Sequence, residues 1–128
     1  MQLGNDIGGL RALYDSIYAY YARFEGRFVS IFDDTSPDES GSYSVRFLLD
    51  RQHVVQYSIG QDRGVNLGAL TMAIGPHYFR PADFWSYEAG TRFKIEASTD
   101  AVIHNLALLD EFLGYPDALR RAYGYKES

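Results

Sequence analysis

The chain has 128 residues, 46% apolar and 23% charged, with a net charge of −5 and a pI near 5.0. That suits one soluble domain, 1–128, which buries about two-thirds of its unfolded surface without a metal or covalent staple; the acidity argues against gripping a phosphate backbone, so no direct nucleic-acid partner is expected. The lack of cysteine excludes disulfides, thiol catalysis and cysteine-based zinc sites. No basic region followed by an apolar run opens the sequence, and no apolar run is long enough to span a bilayer. The expectation is a cytoplasmic protein without a membrane partner.

Asn5 and Asp6 suit a helix N-cap and first turn, and apolar residues then recur at Ile7, Leu10, Tyr14, Ile17, Tyr21 and Phe24. Steps of three and four predict an amphipathic helix, widened by Leu13, Tyr18 and Tyr20. Gly8-Gly9 weakens its start, so it should be firm from Leu10, and Gly26 is expected to close it. Arg27 to Asp33 reads as a strand apolar on both faces, hence central. Asp34 to Gly41 has loop composition.

Ser42 to Leu49 alternates, with Tyr43, Val45, Phe47 and Leu49 on one side. A tight turn at Asp50-Arg51-Gln52 returns the chain as a second strand, His53 to Ile59, with Val55, Tyr57 and Ile59 inward. Gly60 to Asn66 reads as a loop, and Leu67 to Gly75 as a strand with Leu70, Met72 and Ile74 inward. Its small residues Gly68, Ala69 and Ala73 predict close approach of another element.

The next stretch, Pro76 to Gly90, crowds His77, Tyr78, Phe79, Phe84, Trp85 and Tyr87 between two prolines and a glycine. It reads as an irregular connection with one helical turn begun by Pro81. Arg92 to Ala97 is expected as the fifth strand, Phe93 and Ile95 inward. Ser98-Thr99-Asp100 is an N-cap signature for a helix striped by Val102, Leu106, Leu109 and Leu113, ended by Gly114. Pro116 to Tyr123 makes a short final helix. The fold class is therefore α+β: a roughly five-stranded, mostly antiparallel sheet, an N-terminal and a C-terminal helix on one face, and a short helix at the end.

Few constellations carry chemistry. His53, His77 and His104 lack partners at metal spacing, so no metal site is expected. The acidic run Asp33-Asp34-Thr35-Ser36-Pro37-Asp38-Glu39 lacks the ligand order of a calcium loop. Gly60, Gly64 and Gly68 fit neither a P-loop nor a dinucleotide fingerprint. No catalytic residue, enzyme activity or cofactor is assigned. What remains is an aromatic excess, eleven tyrosines and eight phenylalanines, of a kind used where proteins meet partners.

The segment Gly60 to Gly68, the aromatic stretch after it, and Phe93 to Gly114 resemble the style of small acidic bacterial immunity proteins. These accompany polymorphic toxins, including those of contact-dependent growth inhibition. The resemblance implies an α+β protein that binds a cognate toxin domain and occludes its active site; many such toxins are nucleases with basic clefts. On that reading Asp33, Asp34, Asp38 and Glu39 supply electrostatic contacts, Asp62 and Arg63 contribute from a neighbouring loop, and Tyr78, Phe79, Trp85 and Tyr87 are aromatic anchors. The alternative is a small-molecule-binding domain or small enzyme in which His77, Tyr78, Trp85 and Tyr57 line a pocket. Monomer and homodimer both remain open.

Overall fold

A computed structural model of the protein describes residues 9–35 and 42–127, without the side chains of Asp62 and of residues 123–127. The N-cap expected at Asn5 and Asp6 lies outside the described residues. Helix α1 spans Leu10–Tyr21, starting just past Gly9, and buries Leu13, Ile17, Tyr20 and Tyr21. It ends well before Gly26, where the sequence places its close. The Arg23 and Phe24 amides turn back to the Tyr20 and Tyr21 carbonyls at 3.2 Å. The Phe24 ring folds onto Tyr20 at 5.1 Å, and Gly26, at φ 78°, sends the chain into the sheet.

The sheet is open and antiparallel, with strands β1 (Val29–Thr35), β2 (Tyr43–Leu49), β3 (His53–Asp62), β4 (Val65–Ile74) and β5 (His77–Phe79) in that spatial order. A three-residue turn, 50–52, joins β2 to β3, and two-residue turns join β3 to β4 and β4 to β5. Asp50 and Arg51 have φ of 51° and 61°, and Arg63 and Gly64 have 53° and 81°. Paired positive φ is the turn geometry that matches the twist of flanking strands. The second pair corrects the expected loop at Gly60 to Asn66: β3 and β4 continue almost to the turn. Gly75, at φ 60°, followed by Pro76, makes the third turn.

Two further expectations fail. β1 is an edge strand, not a central one, with Phe32 55% exposed. The fifth strand is His77–Phe79 within the aromatic stretch, whereas Arg92 to Ala97 only touches β4 through the Leu67–Glu96 bridge and the Gly68 amide, which donates to Ile95 at 2.7 Å. Asn105 explains this: its side-chain amide takes both main-chain groups of Lys94, at 2.8 Å each, where a neighbouring strand would. Ile74 and Ile95, expected inward, are exposed. Gly68 does allow the predicted close approach, since a Cβ there would stand 3.4 Å from the Glu96 carbonyl.

Beyond β5 come α2 (Pro81–Phe84), the helical turn expected at Pro81, and α3 (Tyr87–Thr91), which the sequence reading does not contain. Ser86 caps α3 by accepting from the Ala89 amide. Helix α4 (Thr99–Phe112) begins as predicted, with Ser98 Oγ accepting from the Ala101 amide. It is buried nearly all round, because α5 (Ala118–Glu127) packs on it too. The alternate residues Tyr43, Val45, Phe47, Leu49, Val55, Tyr57, Ile59, Leu70 and Met72 share one buried cluster with the inner residues of α1 and α4.

A buried ionic cluster joins these parts. Arg27, between Gly26 and β1, gives a two-pronged contact to Asp110 of α4 at 2.8 and 2.9 Å. Its Nη2 also meets Asp50, in the β2–β3 turn, at 2.9 Å. Tyr20 donates to Asp110 at 2.6 Å, and Tyr115 and the Phe28 amide donate to Asp50 at 3.0 and 3.1 Å. The guanidinium faces the Tyr115 ring at 4.0 Å and the Tyr21 ring at 5.0 Å. Burial and the Asp110 charge push the Tyr20 phenol far above its ordinary range.

Asp110→Ala should therefore cost about 2–3 kcal/mol by urea denaturation, because it leaves the buried Tyr20 hydroxyl and two Arg27 N–H groups without their acceptor while Asp50 still neutralises the guanidinium. A loss like that of an exposed ion pair would mean that the cluster holds nothing. Burial pushes the Asp50 carboxyl up, but Arg27, the Phe28 amide and Tyr115 outweigh it and the net shift is downward from 3.8. The stability Asp50 supplies is thus complete above that ordinary value and is lost as pH falls through the lowered folded-state value. Asp50→Asn should flatten the dependence of unfolding free energy on pH below the ordinary carboxylate value of 3.8. An unchanged slope would show that the cluster does not hold Asp50 ionised.

Candidate functional site: the acidic edge and open face of the sheet

β1 changes face partway along. Val29 and Ile31 stand opposite Leu49 and Phe47, but Asp33 stands opposite Arg46, and Phe32 has no partner. This bulge inserts one residue. Without it Asp33 would stand opposite Val45, on the buried face. With it, Asp33 joins the polar face and Asp34 turns to the helix side, so the one extra residue exchanges the sides that the two acids would otherwise take.

Each acid has a partner. Asp33 meets Arg46 Nη1 at 3.4 Å, with both side chains substantially exposed. Asp34 accepts from the Tyr14 hydroxyl at 2.5 Å. That hydrogen bond, then slight burial and the Asp34 charge, push the Tyr14 phenol up to about 12. One turn further along α1, the Tyr18 hydroxyl accepts from the Ile31 amide at 3.1 Å, satisfying a donor that an edge strand otherwise leaves open. Phe32, between the helix-anchored residues, keeps its ring in water.

The face of the sheet opposite the core carries Ser44, Arg46, Gln56, Ser58 and Thr71, all half-buried. Arg46, Gln56 and Thr71 stand in register across β2, β3 and β4. Arg46 Nε donates to Gln56 at 2.9 Å, and Gln56 donates to Ser58 Oγ at 3.2 Å. The Arg46 guanidinium also lies over the Tyr78 ring of β5, 4.9 Å from its centre. One arginine thus links Asp33 on the first strand with Tyr78 on the last. The strip is held by hydrogen bonds before any partner arrives.

The expected contact residues are not brought into one patch. Asp33, Asp34 and Tyr78 border the open face or its β1 edge. Asp38 and Glu39 lie outside the described residues, and for Asp62 only the main chain, at the end of β3, is described. Arg63 is exposed in the β3–β4 turn. Phe79 and Trp85 are half-buried in a run of ring contacts: Phe79 meets Phe84 at 6.1 Å, Phe84 meets Trp85 at 5.6 Å, and Trp85 stacks on Phe112 at 4.6 Å. Tyr87 is 80% exposed, on α3. Four strand spacings, about 19 Å, separate β1 from β5. Phe32, Arg46 and Tyr14 were not among the expected site residues; the only sequence signal for Phe32 is its place beside Asp33-Asp34.

His77, Tyr78, Trp85 and Tyr57 do not converge on a cavity. Tyr57 points into the core and bonds Asn105 at 2.9 Å, while Tyr78 lies on the opposite face. His104 contacts the Arg92 carbonyl at 3.0 Å, and burial lowers its pKa. Among the described residues no group of three or more His, Asp or Glu side chains is arranged to hold a metal, and no helix is long and apolar enough to cross a membrane. The chain matches no family model, no curated protein and no solved structure.

The edge geometry has a spectroscopic consequence. By NMR the Tyr14 ring should titrate near 12, not at the ordinary 10, and Asp34→Asn should bring it back towards 10. An unshifted Tyr14 in the parent protein would break the link between α1 and the acidic edge.

Proposed function

We propose that the protein is a cytoplasmic immunity protein that neutralises a bacterial toxin domain, laying the open sheet face and the acidic β1 edge over a cationic groove. The observation that carries this reading is the β1 bulge, which brings Asp33 onto the open polar face beside Arg46, with Asp34 on the other side of the edge and the exposed Phe32 next to them. Carboxylates on such an edge steer a basic partner into encounter, and a ring among them supplies area to desolvate on contact. A prearranged polar strip from Asp33 to Tyr78 lowers the cost of ordering side chains on binding. The net charge of −5 adds long-range attraction for a basic cleft such as that of a nuclease. No bond-making step is asked of the chain.

The test is co-expression with the C-terminal domain encoded by the gene immediately upstream, followed by binding measurements on the purified pair. The parent chain should restore growth. Asp33→Lys with Asp34→Lys should slow association about tenfold or more and reduce its salt dependence. Phe32→Ala should speed dissociation, and Tyr14→Phe should do so more mildly, by releasing Asp34 from the orientation that α1 gives it. Unaltered rates in the doubly charge-reversed chain would remove the β1 edge from the interface. Failure of the parent chain to protect would remove the toxin reading.

A further inference from the structure

At the far edge of the sheet lies a cavity of about 290 Å³ that plays no part in the proposed contact. It exists because β4 has gaps on its outer side. Met72 to Ile74 pair with β5, and Gly68 is bonded to Ile95, but among the described residues no strand stands beside Leu70 between them. The corner of α2 and α3 closes the gap from one end. There Gly90 lies so near Ala82 that an added Cβ would come within 2.8 Å of the alanine methyl, so no side chain at 90 enters the space. Phe93 supplies an apolar wall.

The polar groups of this cavity sort into two zones. Its only deep polar side chain, Asn105, is fully engaged: it accepts from the Lys94 amide and donates to the Lys94 carbonyl and to Tyr57. The lining is mostly apolar and leaves no free deep polar side chain, so the interior suits an apolar ligand group. At the mouth, Tyr87 and Ile95 are 80% and 61% exposed, which leaves apolar area uncovered beside the opening. The charged residues that line the cavity are Arg80 and Lys94, and no carboxylate lines it. Asp83 reaches Arg80 Nε at 3.5 Å, but with Arg80 75% exposed this contact is weak and engages one nitrogen of the three. On a chain of net charge −5 this is a local reversal of sign.

We propose that this cavity binds a small aromatic monocarboxylate, its ring against Phe93 and Tyr87 and its carboxylate at the mouth between Arg80 and Lys94. The volume admits one ring-bearing small molecule, and the charge pattern selects an anion over a neutral or cationic analogue. The site lies on the opposite edge from the acidic bulge, so the proposal stands independently of any toxin.

The test titrates the purified full chain with phenylacetate and, separately, with phenylacetamide, following backbone amides and the Asn105 side-chain amide by NMR. Phenylacetate should give saturable shifts at Gly68, Leu70, Gly90 and Asn105, and phenylacetamide should bind about fivefold more weakly, as expected for partly exposed charges. Arg80→Gln with Lys94→Gln, both on exposed side chains, should lower phenylacetate to the affinity of the amide. The proposal is overturned if phenylacetate gives no saturable shifts there up to its solubility limit, or if both probes bind the parent chain equally. Shifts centred instead on Arg23 and Arg121, which line a second cavity beside Arg27 and Tyr115, would also overturn it.

Discussion

The Arg27 guanidinium is the point at which α1, the first strand, the central hairpin turn and α4 meet. It has two carboxylates around it, so the cluster carries one surplus negative charge in a place that water hardly reaches. Hydroxyls from Tyr20 and Tyr115 and the Phe28 amide point into that surplus, while the Tyr21 and Tyr115 rings face the cation. A buried ion pair of this kind is not a large net source of stability, since desolvating its members costs about as much as their attraction returns. Its effect is positional. Apolar residues would pack α4 against the hairpin in several neighbouring arrangements, whereas a planar fork between two fixed carboxylates is satisfied in one. The same cluster accounts for Asp50 at a positive φ that a glycine or asparagine would take more readily, because its carboxylate is needed there.

Where the sequence is legible, the structure follows from short-range rules. The β2–β3 hairpin is written in strict alternation, and Ser98-Thr99-Asp100 marks the start of α4 by its cap. The missing strand at Arg92 to Ala97 and the unforeseen ionic cluster share another cause: a polar side chain from another element takes the place of a regular partner. Phe93 to Glu96 alternates like a strand, yet Asn105 occupies the Lys94 main chain. Arg27 reads as the first residue of a strand, and its pairing with Asp110 across most of the chain leaves no local pattern. The acid directly after Leu106-Ala107-Leu108-Leu109 is the one hint that this part of the helix is not a solvent face.

The aromatic stretch is similarly divided. Phe79, Phe84 and Trp85 continue into Phe112 and Phe93, a run of rings that closes the α2–α4 end of the core. The helix-face residues of β5 turn into this run, while Tyr78, between them, turns to the open face because alternation leaves it no other side. Composition reports the number of rings, and strand parity decides which serve the core. The parity of β5 is not legible in the sequence, because Pro76, which completes its hairpin turn, reads as the start of an irregular connection.

Of the two described acids at the β1 edge, Asp33 is the more readily given to a partner. Its contact with Arg46 is 3.4 Å long between half-exposed groups, an arrangement that contributes at most about 1 kcal/mol. Arg46 would lose little by releasing it, since Gln56 and the Tyr78 ring still hold the guanidinium. Asp34 differs: its bond to Tyr14 is short, and that hydroxyl would need a new acceptor or water if a cation drew the carboxylate away. An incoming basic side chain can therefore take Asp33 outright, while at Asp34 it adds a second contact to a carboxylate already oriented by α1. The bulge thus provides one exchangeable charge and one fixed charge, an arrangement suited to rapid capture followed by a defined orientation.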